Sequence, residues 1–239
     1  MRGVLSAFWV AIALVGLTCA PAVHACGPMQ ATNPTTGNLE RVTLHFDGQD
    51  YEVRWAERVS GVWQEATLTD NSVADTCPRL AFFPDGSSGV SWIEGGTTIR
   101  YLGRDDSLGW QQSTVTVTSG TAQIDVAWLS VHDNEAHLVW SAASGSTQTI
   151  VAGGTDGPGP WPGLFSPNVL ATTTYAGSSA PQVTSESGHL WAVWIHDGDE
   201  LAYSEHDETN GWGSVLYESY SGPTDIPAAK ERVADDVTQ

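Results

Sequence analysis

The sequence predicts an all-β fold of about four repeated antiparallel sheets, and two observations carry that prediction. The first is an internal repeat: residues 92–110 and 194–212 superimpose without a gap. Both read W-I-x-x-G-x-x-[IL]-x-Y-x-x-x-D-x-x-x-G-W, so that Trp92, Tyr101, Asp105 and Gly109-Trp110 answer Trp194, Tyr203, Asp207 and Gly211-Trp212. Spaced aromatics in one register over such a span mark a repeated structural unit. The second observation is period. Runs such as Gly89-Val90-Ser91-Trp92, Val115-Thr116-Val117 and Leu190-Trp191-Ala192-Val193-Trp194 are short and β-rich, lie between Gly, Asp, Ser and Asn clusters, and show no sustained helical spacing.

Upstream, Pro78-Arg79-Leu80 with Asp85-Gly86 answers Pro181-Gln182-Val183 with Ser187-Gly188. Two looser copies complete the set: Val42 to Cys77 with Trp55 and Trp63, and Ile124 to about Ala180 with Trp140 and Trp161. Asp47-Gly48, Asp85-Gly86 and Asp197-Gly198 suit tight turns that require positive φ. Trp92 and Trp194 follow the alternating apolar residues Val90 and Ala192 and are expected in the core.

A small sheet cannot bury both faces alone, so such units must pack against neighbours around an axis, as the blades of a β-propeller do. The chain resembles the sialidase-like, BNR or Asp-box superfamily of propellers, over roughly residues 40–219. The segments Asp105 to Trp110 and Asp207 to Trp212 are similar to its S-x-D-x-G-x-x-W hairpin in degenerate form, the acid lying four residues before the glycine rather than two. The resemblance implies a small or partial β-propeller of about four blades: a closed ring, an open array completed by a second copy through its blade edges, or a shortened relative. It does not imply sialidase activity. Arg79 in Pro78-Arg79-Leu80 reverses the order of the family's R-I-P signature. Arg54, Arg58, Arg100 and Arg104 read as strand-surface or turn residues, and Tyr203, beside Glu205, repeats Tyr101 and so reads as structural.

The domain organisation follows from composition. Arg2, the apolar run Val4–Leu17 and the small residues ending at Ala25 read as a signal peptide over 1–25, predicting a periplasmic or secreted protein without membrane insertion. Residues 26–40 read as a linker, 41–219 as the repeat domain and 220–239 as a polar tail. In an oxidising compartment Cys26 and Cys77 are expected to pair, lipidation of Cys26 being the alternative. The formal charge is −19 and Lys230 is the sole lysine, which excludes nucleic acid as a partner.

No G-x-S-x-G elbow is present, and the many acids single out no catalytic pair. His132-Asp133 with His137, and His196-Asp197 with His206-Asp207, bring histidines near carboxylates but read as solvated turns rather than zinc sites. No cofactor or metal is expected; calcium at Asp197-Gly198-Asp199-Glu200 is the alternative. Trp161, held among prolines with Asp156 nearby, and Trp191 are aromatics the paired repeat does not explain. They are the candidate ligand-binding residues of an exported, non-enzymatic module for a surface glycan or protein. A degenerate glycoside hydrolase and an envelope scaffold are the alternatives.

Overall fold

The computed structural model describes residues 29–105, 108–111, 114–154, 167–173, 181–186, 189–196, 200–207 and 209–219. Among these there is no helix, and the strands form four antiparallel sheets in chain order. The first holds β1 (Met29–Thr32), β2 (Leu39–Phe46), β3 (Tyr51–Val59) and β4 (Val62–Thr67). The second holds β5 (Asp75–Phe82), β6 (Ser88–Glu94) and β7 (Thr98–Asp105), with β8 (Gly109–Trp110) and β9 (Val115–Ser119) both paired to β7. The third holds β10 (Gln123–His132), β11 (Glu135–Ser144), β12 (Thr147–Gly154) and β13 (Asn168–Thr173). The fourth repeats the second: β14 (Gln182–Glu186), β15 (His189–His196) and β16 (Glu200–Asp207), with β17 (Gly211–Trp212) and β18 (Leu216–Ser219) paired to β16. About four meandering blades is therefore what the chain builds.

The paired repeat maps strand on strand. Trp92 and Trp194 lie on the second strands of their sheets, opposite Arg100 and Ala202. The two repeated turns do the same work. Asp105 Oδ1 accepts from the Leu108 N–H, Asp207 Oδ1 accepts from those of Thr209 and Asn210, and Gly109 and Gly211 take φ of 81° and 73°. Only glycine enters that region freely.

The core is divided among the blade interfaces. Val42, Val53 and Trp55 of the first sheet meet Leu80, Val90, Trp92 and Leu102 of the second. The other face of the second sheet, with Cys77, Ile93 and Tyr101, meets Leu129, Leu138 and Trp140 of the third. Val139, Ile150 and Ala152 of the third meet Leu190, Ala192 and Trp194 of the fourth. Trp191, Val193, Ile195 and Leu201 form a further cluster on the far face of the fourth sheet, packed with Tyr203. Among the described residues no apolar cluster joins the fourth sheet to the first.

Several boundaries differ from the sequence expectation. β1 and the start of β2 fall within 26–40, because Met29–Thr32 pairs with Leu39–Val42 and supplies the strand the first blade needs. Cys77, expected at the end of the first unit, belongs to the second blade, on β5. Cys77 is buried in a bulge with φ of 51°, and its sulfur is in a disulfide whose other half lies outside the described residues. Segments 1–25 and 220–239, and Cys26, also lie outside them.

Candidate functional site

Arg104 and His206 occupy equivalent places in the repeat, each one residue before the turn aspartate. Each sits in an interface with the preceding sheet, and the two interfaces have opposite character.

Between the first and second sheets the space is closed by charge. The Arg104 guanidinium lies 3.6 Å from Glu40 Oε1 and 3.7 Å from Glu57 Oε2, and 4.7 Å from the centre of the Trp55 ring. Glu40, fully buried, also accepts from Trp55 Nε1 at 2.6 Å and Asn33 Nδ2 at 2.9 Å. Burial pushes its carboxyl above the usual range despite these donors. Trp110 packs edge-on against Trp55 and completes the seal. Arg104 is thus an inter-blade residue and not the surface residue its sequence suggests, because its partners come from the neighbouring blade.

Between the third and fourth sheets the corresponding space is open. A cavity of about 390 Å3 is lined by His132, Asp133, Glu135, His137 and His206. The β10–β11 hairpin builds its rim: His132 pairs with Glu135, leaving Asp133 and Asn134 as a two-residue turn with φ of 49° and 65°. Both signs are those of a type I′ turn, which Asp and Asn tolerate best after glycine. His132 spans the interface, with Nε2 2.7 Å from Asp133 Oδ2 and Nδ1 2.8 Å from Ser185 Oγ on β14. The His137 ring stands edge-on to that of His206 at 4.7 Å, and His206 stands edge-on to Trp212 at 5.2 Å. Gly154, across the ladder from His137, leaves room for this imidazole; a Cβ there would lie 2.9 Å from His137 Nδ1.

Burial, with His206 and His132 as neighbours, pushes the His137 pKa down to about 3, and burial lowers that of His206 in the same sense. Nδ1 of each is enclosed with no hydrogen-bond partner. The three imidazoles do not converge as metal ligands: the His132 and His137 rings are 6.4 Å apart, and both nitrogens of His132 are engaged.

An acid sensitivity follows. From pH 6.5 down to about 3 the unfolded chain holds a proton on His137 that the folded chain does not, so this contribution is flat above 6.5 and falls on acidification. His206 acts in the same direction, while Asp133, and Asp207 beside His206, favour the charged imidazole. Asp75, which burial pushes up to about 7, opposes it, since the folded state there gains stability as pH falls from 7. The His137 contribution is therefore read by difference: urea midpoints from about pH 7 to about pH 4 should fall less in His137→Gln than in the wild type. Parallel curves would refute it.

Of the ligand-binding residues expected from sequence, Trp161 and Asp156 lie outside the described residues. Trp191 is 7% exposed, T-shaped against Tyr203 at 6.0 Å, and clusters with apolar residues on the far face of the fourth sheet. It is not brought together with the cavity. Sequence reasoning paired His132 and His137 as neighbours but separated them from His206; the signal that joins them is His206 standing at the repeat position of Arg104. His196 instead packs against Tyr217. Arg79, buried, donates from Nε to the Ala127 carbonyl and ties the second sheet to the third.

Four blades stacked in chain order define a propeller-type protein. No protein-family model matches the sequence, and no curated protein matches it. Among solved structures the chain is similar to an α-L-arabinanase from Cellvibrio cellulosa complexed with arabinohexaose, at 13% identity and a TM-score of 0.49 over 79% of this chain and 76% of that one. It is also similar to the catalytic domain of a GH62 α-L-arabinofuranosidase from Coprinopsis cinerea, at 13% identity and 0.47 over 84% and 75%. An intramolecular trans-sialidase from Ruminococcus gnavus shows 14% identity and 0.44 over 80% and 42%. None singles out the Asp-box branch, and at this distance the likeness carries nothing about ligand or reaction.

Proposed function

We propose that this chain is an exported binding module whose cavity between the third and fourth blades takes a polyhydroxylated ligand, a glycan. The observation that carries the reading is the contrast between equivalent interfaces: one is sealed by Arg104 and two glutamates, while the other is left open and lined by imidazoles and carboxylates. The carboxylates of Asp133 and Glu135 on this cavity accept from hydroxyls, which suits a polyhydroxylated ligand. Asp156 and Trp161, the ligand contacts expected from the sequence, belong to the proposal as further candidate contacts.

A hydrolase is the second reading, because Asp133 and Glu135 place two carboxyl groups on one cavity. One screen separates them. Glycan-array binding of the wild type should be lost or weakened at least about tenfold in His206→Ala and in Trp161→Ala, with circular dichroism unchanged and no sugar released from bound glycans. Release of reducing ends that Glu135→Gln abolishes would replace binding with hydrolysis. Folded variants that keep every wild-type interaction would remove the site.

A further inference from the structure

We propose that residues 220–239 cap the array by folding back over the outer face of the fourth blade, on Trp191, Val193, Ile195 and Leu201. The two end blades turn different chemistry outward. On the first, the face opposite Val42, Val53 and Trp55 carries Arg41 on β2, Arg54 on β3, and Trp63 and Glu65 on β4. The Arg41 guanidinium lies 3.1 Å from Glu65 Oε1 and 4.2 Å from the centre of the Trp63 ring, and that of Arg54 lies 3.9 Å from Glu65 Oε2. Paired charges spread over this face, so it can meet water as it stands.

The outer face of the fourth blade has no such cover of its own. Trp191, Val193 and Ile195 alternate along β15 with Leu190, Ala192 and Trp194, which face the third blade, while Tyr203 and Leu201 stand opposite Val193 and Ile195 on β16. This face is as apolar as the interfaces between blades. Val193, Ile195 and Leu201 are at most 1% exposed and Trp191 is 7% exposed, yet the described apolar residues packed with them all belong to the fourth sheet itself. A sheet face is enclosed only by a second layer, and among the described residues no apolar group supplies one. Repeat arrays end in caps with a polar outer side, because an apolar terminal face would otherwise lie open to water.

The chain itself leads to this face. β18 runs beside β16 and ends with Ser219 opposite Glu200, next to Leu201, and Leu216, opposite Tyr203, marks the margin at 53% exposed. The twenty residues that follow span about 70 Å when extended, and a sheet four strands across is about 15 Å wide, so length sets no obstacle. Polar overall, they still hold Ile226, Ala229, Val233 and Val237 at intervals of three and four, the spacing of one side of a helix. Glu231, Arg232 and Asp235 fall on the opposite side of the same spacing, where a cap meets solvent. The face is turned away from the third blade and its cavity, and the inference does not depend on the glycan reading.

The test uses the full-length protein with a photo-crosslinking residue, Val233→p-benzoylphenylalanine. Irradiation should join residue 233 to β15 or β16 of its own chain, around Trp191 to Ile195 or Leu201 to Tyr203, as located by mass spectrometry. Crosslinks between two chains would give the face to a second copy, and these, crosslinks to the first blade alone, or none to the fourth would each overturn the proposal. A second measurement needs no crosslinker. The full-length Val233→Asp, Val237→Asp double variant should melt at least about 5 °C lower than the wild type and bind the apolar dye ANS, which the wild type should not. Val62→Asp, at a 66% exposed position of the first blade, should do neither. A double variant that melts as the wild type does and binds no dye would also overturn the proposal.

Discussion

Trp194→Ala should lower stability by about 3–5 kcal/mol, among the largest losses any single side chain in this protein can cause. The indole is completely buried on β15 and faces the third blade. The cluster around it includes four alanines, Ala152 and Ala171 on one sheet and Ala192 and Ala202 on the other, beside Val139, Ile150, Val183 and Leu190. Alanines cannot swing into the space an indole leaves, and the sheets holding them are locked by their ladders. The cavity should therefore persist, and the cost should include both lost transfer energy and lost contacts. Trp92→Ala should behave alike, since that ring fills the equivalent place between the second blade and the first. Trp63, half-buried under the Arg41 guanidinium at 4.2 Å, is the contrast, and its alanine variant should cost less than about 1 kcal/mol. Urea midpoints at constant slope decide the matter; a Trp194→Ala midpoint close to the wild type would refute the interface role.

The same tryptophans explain how much of the fold was legible. Trp92 and Trp194 announce themselves because blades two and four share one strand order, so that aromatics, glycines and aspartates recur in one register. The first and third blades lack that register. The first puts its large aromatic, Trp55, on β3, where its N–H reaches Glu40. Its opening strand, Met29–Thr32, is too short and polar to stand out and is defined only by its pairing with β2. The candidate site was legible in parts. His132, His137 and His206 are visible as polar residues beside turns, but a turn residue at a sheet end is solvated or enclosed according to the next blade, and no local pattern reports the next blade. For the same reason the buried Glu52 and Asp75 could not be told from ordinary surface acids.

Arg104 is where inter-blade charge should weigh most. Replacing it with leucine should cost about 3 kcal/mol, because Glu40 and Glu57 would remain at the interface without their cation. The loss measures stranded charge more than the net strength of the ion pair, and a second substitution can show this. Adding Glu40→Gln to Arg104→Leu should recover a large part of the deficit, since glutamine can still accept from Asn33 and Trp55 while carrying no charge. Acid should do the same without mutation. Burial already raises the Glu40 pKa from 4.5, and removing Arg104 withdraws an influence that lowers it. In the variant the folded state then takes up a proton on Glu40 more readily than the unfolded chain does, so the variant gains on the wild type as pH falls through that raised value. Denaturation of the single and double variants at neutral and mildly acidic pH tests both expectations. A deficit that neither Glu40→Gln nor acid reduces would mean that Arg104 stabilises the interface through its stacking on Trp55 rather than by neutralising Glu40.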